Sequence, residues 1–152
     1  MKLGASLLIV FLGNFAIANP SVVPTSPFDR FGDINCEDEM ARLDNFALQL
    51  QNEPHSKGAI LFYAGRMAAD QLPRRGEAEA RVSRIKSYLF KRRGVPSDRI
   101  TFISGGYGKY FLVQLWMVPP GAALPDPEPH LLEKVIRFRK GKLQPRDFRC
   151  QI

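Results

Sequence analysis

Apolar residues recur at three- and four-residue intervals through Met40, Leu43, Phe46, Ala47 and Leu50. This stripe predicts an amphipathic helix beginning near Glu37. Glu37, Asp38 and Glu39 suit the positive end of its dipole, and Pro54 stops it. Residues 59–64 form a run apolar on both faces, the pattern of a central strand, which ends at Gly65. A second stripe, Ala78, Val82, Ile85 and Leu89, predicts a helix from about Glu77 to Arg93 with Gly94 as its stop. Residues 100–103 read as a strand, and the glycine-rich residues 104–108 as a flexible connection. Over 110–118, Phe111, Val113, Leu115 and Met117 alternate with Leu112, Gln114 and Trp116, which predicts a further strand. Residues 28–34 suit a short edge strand anchored by Phe31, residues 122–129 a proline-spaced loop, and residues 135–138 a late strand.

Two helices can cover one face of a small mixed sheet, so the expected fold is α+β, a two-layer sandwich. Leu43, Phe46, Leu61, Ile85, Leu89, Val113 and Leu115 are its expected core.

The first residues follow another pattern. Lys2 precedes an almost wholly apolar stretch, and Ala16-Ile17-Ala18 has the small-x-small form of a cleavage site. Residues 1–18 are therefore expected to be a signal peptide cut before Asn19, residues 19–27 a proline-rich lead-in, and residues 28–152 one exported domain. The rival reading, an uncleaved anchor, meets a short apolar run broken at Gly13-Asn14. Later segments are too short and polar to span a bilayer, so a periplasmic or secreted destination is expected. The chain length of 152 residues suits one core, and these features exclude a polytopic membrane protein and an intrinsically disordered chain.

The chain has two cysteines, Cys36 and Cys150. In an oxidising compartment they are expected to pair as a structural staple. Metal binding needs more ligands, and neither His55 nor His130 shows ligand spacing, so no metal or cofactor is expected.

Charge changes the picture further. The sequence carries 22 Lys+Arg and 15 Asp+Glu, net +7, unevenly spread. Acids dominate from Phe28 to Glu53 and cations from His130 to Ile152. Mutual neutralisation of these two ends is one reading, and a basic surface for a polyanion is the other.

A set of short elements carries a resemblance: Asn52-Glu53-Pro54, the strand ending at Gly65, Arg81 with Ile85 and Tyr88-Leu89, Gly94-Val95-Pro96, Arg99-Ile100, Gly106-Tyr107-Gly108 and Val113-Gln114-Leu115. Together these resemble the OmpA C-terminal-like domain, whose members bind peptidoglycan in the bacterial envelope. The likeness covers residues 50–116, about half of the expected mature domain. The resemblance implies that Arg81 binds a carboxylate. In the family, an Asp after the central strand works with that Arg to clamp diaminopimelate. This chain has Gly65-Arg66-Met67-Ala68 at the matching positions, so the acid is missing, and Asp70 is a shifted substitute. The implied ligand-binding residues are thus Arg81, Arg66, Arg74 and Asp70, with peptidoglycan or another anionic envelope polymer as the partner and weak or altered binding as the expectation.

Bland readings stand beside these. Arg66, Arg74, Arg75 and Arg81 also fit a solvated basic rim. Lys91-Arg92-Arg93 suits the negative end of a helix dipole, which makes a nucleic-acid partner unnecessary. Residues 105–109 lack the Gly-x-x-x-x-Gly-Lys-Ser/Thr phosphate-loop form. Ser104 lacks a nucleophile elbow. A non-enzymatic envelope domain is therefore the leading expectation. The alternatives are a small secreted hydrolase working through Asp70 or Glu77, or a structural interaction protein on the same scaffold.

Overall fold

The computed structural model describes residues 24–67, 71–128 and 131–144. The expected signal peptide, its cleavage point and most of the lead-in lie outside the described residues, as do Ala68, Asp70, His130 and Cys150.

Strand β1 (Asp29–Phe31) leads into helix α1 (Cys36–Asn52). The Asn35 side chain caps α1 by accepting the Asp38 amide at 2.8 Å. Strand β2 (Lys57–Arg66) follows, then helix α2 (Glu77–Ser87), whose last turn widens into a π-helical turn over Tyr88–Arg92. Strands β3 (Ile100–Tyr110) and β4 (Leu112–Val118) complete an open sheet of order β1-β4-β2-β3. β2 is parallel to β3 and antiparallel to β4, which in turn is antiparallel to β1. The fold is α+β, with two main helices packed on a small mixed sheet, as the two periodicities require.

All seven expected core residues are buried. Ile60 and Phe62 of β2 meet Leu43, Phe46, Ile85 and Leu89 in one apolar cluster beneath the helices. Leu61 and Tyr63 point to the opposite face, because strand side chains alternate. There the proline-spaced segment after β4 returns, and the Glu128 amide donates to the Tyr63 hydroxyl at 3.1 Å.

Three expectations are corrected. Residues 104–108 are part of β3, not a flexible connection. Twice β3 advances three residues where β2 advances two, from Ser104 to Tyr107 and from Tyr107 to Tyr110. Glycines absorb these bulges, Gly106 with φ +78°. Residues 110–118 do not form one strand, because the chain changes sides of β2 at Phe111, whose amide donates to the Arg66 carbonyl at 2.8 Å. This crossing passes over Gly65, where an added Cβ would lie 2.4 Å from the Tyr110 backbone. Finally, residues 135–138 form no strand. Val135 closes a short 3-10 turn, Glu133–Val135, and Leu131 forms an isolated bridge to Tyr107.

Cys36 opens α1 and is not a free thiol. Cys150, the expected partner in a Cys36–Cys150 staple, lies outside the described residues. Among the described residues, no helix is long and apolar enough to cross a membrane.

Candidate functional site at the carboxyl end of β2

β2 and β3 end together at the Arg66–Tyr110 pair, and a cleft opens beside this end of the sheet. Arg66 is exposed on the last residue of β2 and lines a cleft of about 250 Å³. Lys109 from β3 and Arg137 from the C-terminal segment line the same cleft, with Leu72, Leu131 and Ile136 as apolar wall. The C-terminal segment is fastened at both edges. The Leu131 amide donates to the Tyr107 carbonyl at 3.0 Å and the Arg139 amide to the Pro73 carbonyl at 2.9 Å. Between these, Phe138 sits edge-on to Tyr107 at 5.9 Å, and the Arg75 guanidinium lies 4.3 Å from the Phe138 ring centre. Arg75 also pairs with Glu133. Burial, followed by the Glu133 and Glu79 carboxylates, pushes the Tyr107 hydroxyl pKa above its ordinary value, against the opposing pull of Arg75.

Arg81 occupies a different environment. It projects from α2, and its Nη1 donates to Asp33 Oδ1 at 2.7 Å. Its Nη2 lies 3.8 Å from Glu77 Oε1, and its guanidinium carbon is 5.5 Å from the Phe111 ring centre. Only 12% of the Arg81 side chain and 24% of the Asp33 side chain are exposed. Glu77 is 2% exposed and accepts the Arg74 amide at 2.9 Å, so its carboxylate stabilises the turn before α2. Arg81 and Arg66 flank Phe111, one against its ring and the other holding its amide. Arg74 joins the Arg81 side of this arrangement through Glu77. Asp70 lies outside the described residues.

The chain thus supplies Arg81 with an acid that the sequence reading did not name. Asp33 comes from the β1–α1 connection, 48 residues upstream. No periodicity links that connection to α2; only the threading of the chain brings them together.

Two other arginines, Arg84 of α2 and Arg93 just after the π turn, are held by α1. Arg84 binds Glu39, which is 3% exposed, through two charge-assisted contacts. Arg93 and the Tyr88 hydroxyl share Asp44. Burial and then the Asp44 hydrogen bond raise the Tyr88 pKa above its ordinary value, while Arg93 opposes them. Arg93 therefore has a specific carboxylate partner besides the helix-end field expected from the sequence. Much of the basic 130–152 stretch, whose neutralisation by the acidic 28–53 stretch is expected, lies outside the described residues. Among the described residues, Asp29, Asp33, Glu39 and Asp44 of the first stretch pair with Arg42, Arg81, Arg84 and Arg93.

Among the described residues, no group of three or more His, Cys, Asp or Glu side chains is arranged to hold a metal. Comparison with protein-family models, curated proteins and solved structures finds no match.

Proposed function

We propose that this chain is a non-enzymatic, envelope-associated domain on an OmpA C-terminal-like scaffold that binds peptidoglycan weakly through Arg81 and Asp33. The observation that carries the reading is the 2.7 Å contact between these two residues. A diaminopimelate centre has both an ammonium and a carboxylate. An Arg–Asp pair complements both, with Asp33 doing the work that Ala68 cannot. The surroundings also account for weakness. Asp33 and Glu77 flank one guanidinium, so the local charge is negative, and a ligand carboxylate must compete with Asp33 for Arg81. Glu77 is too deeply buried to meet a substrate readily, which favours this reading over the small hydrolase.

Titration of the protein with a diaminopimelate-containing muropeptide tests the proposal. Binding is expected near the millimolar range, on the order of −4 kcal/mol, and to weaken with salt. Arg81→Ala and Asp33→Asn should each reduce it at least about tenfold, the loss of one charge-assisted contact. Equal binding by wild type and both variants would remove this site from the account.

A further inference from the structure

The cleft beside Arg66 uses none of the residues of the glycan proposal, and its chemistry differs. Among the described residues, Arg66, Lys109 and Arg137 form no ion pair. Three like charges around one hollow repel each other and favour an incoming anion. The same C-terminal segment exposes Lys134, Lys140 and Lys142. Cations alone would suit any soluble anion, but this segment also turns large aliphatic side chains to solvent. Leu131 is 37% exposed, Leu132 64% and Val135 59%, and Leu131 and Val135 line the cleft itself. Leu132 and Val135 belong to one turn, closed by the Val135 amide on the Leu132 carbonyl at 3.0 Å. Apolar side chains projecting beside unneutralised cations match an interface with phosphates at one depth and acyl chains just below.

We propose that this face docks on an anionic lipid surface. One headgroup phosphate sits among Arg66, Lys109 and Arg137, while Leu132 and Val135 enter the acyl boundary. Lys134, Lys140 and Lys142 add attraction without specific contacts. The segment does not span the bilayer; it rests on it. Its ties to Tyr107 and Pro73 hold the face in shape before contact, which lowers the entropy lost on docking.

Co-sedimentation of the purified protein with phosphatidylcholine vesicles, with and without phosphatidylglycerol, tests this. Association is expected only with the anionic vesicles and should fall with added salt. Lys109→Gln and Arg137→Gln should each weaken it about fivefold. The exposed pair Leu132→Ser/Val135→Ser should weaken it about tenfold, as apolar insertion is lost. Lys91→Gln removes one charge from the π turn at the end of α2 and should change nothing. All these side chains are exposed, and circular dichroism of each variant checks that the fold is kept. Failure to associate with anionic vesicles, or equal association with both vesicle types, overturns the proposal. Inorganic phosphate is the second probe. If it binds the protein and the Leu132→Ser/Val135→Ser variant still sediments like wild type, the cleft is a soluble-anion site and the lipid face is wrong. The vesicles contain no glycan, so their result is independent of the muropeptide titration.

Discussion

The seam between α1 and α2 and the cleft at the end of β2 are both rich in cations, but they hold them in opposite states. At the seam two arginines take a carboxylate from the facing helix: Glu39 for Arg84 and Asp44 for Arg93. At the cleft, Arg66, Lys109 and Arg137 stand together without an ion pair among the described residues. The difference separates charges that fix how two helices meet from charges whose partner must come from elsewhere. Arg81 falls between the two. It is paired with Asp33, yet partly open to solvent at the same end of the sheet as the cleft.

The largest expected effect comes from breaking the seam. Glu39→Ala should cost about 3 kcal/mol in urea unfolding, because Arg84 keeps its charge in a largely buried place. Replacing both partners, as Glu39→Leu/Arg84→Met, should cost far less than Glu39→Ala, since no unpaired charge remains. If the double replacement is the worse of the two, packing and not charge pairing defines the seam.

A smaller effect is expected at the intermediate position. A double-mutant cycle on Asp33 and Arg81 should give a coupling of about 1 kcal/mol, in keeping with a partly exposed pair. A coupling near zero would move Arg81 into the same class as the cleft cations.

Smaller again is a pH effect at the seam. Tyr88 has a folded pKa above its ordinary 10.0, so folding favours its protonated form. Its contribution is complete below about pH 10 and is lost as the pH rises through the raised value. Tyr88→Phe should therefore flatten the alkaline end of the stability profile, measured by thermal unfolding. An unchanged alkaline slope would show that the Asp44 hydrogen bond carries no such linkage.

Much of the seam was legible in the sequence, and little of the cleft was. Repeats through Leu43, Phe46 and Leu50 and through Val82, Ile85 and Leu89 are local, so they reveal both helices and the faces they bury. The central position of β2 likewise follows from an apolar run with no polar alternation. Long-range pairings left no such trace. Asp33 meets Arg81, and Arg137 meets Arg66 and Lys109, only because of the strand order and the crossing at Phe111. The misread glycines show the same limit. Gly105, Gly106 and Gly108 signal a break in regular pairing, but bulges against β2 and a free loop need the same residue. Resemblance singled out Arg81 as a carboxylate ligand and pointed to the missing acid at Ala68. It held no information about the acid in the β1–α1 connection.

The smallest expected effect bears on the central claim, that seam cations hold the fold while cleft cations await a ligand. The direct measurement is the urea-unfolding free energy of the triple variant Arg66→Gln/Lys109→Gln/Arg137→Gln against wild type. Removing three like charges that make no ion pair should leave stability within about 0.5 kcal/mol of wild type, or raise it as repulsion is relieved. A loss as large as that of Glu39→Ala would contradict the claim and make the cleft cations part of the fold's own support.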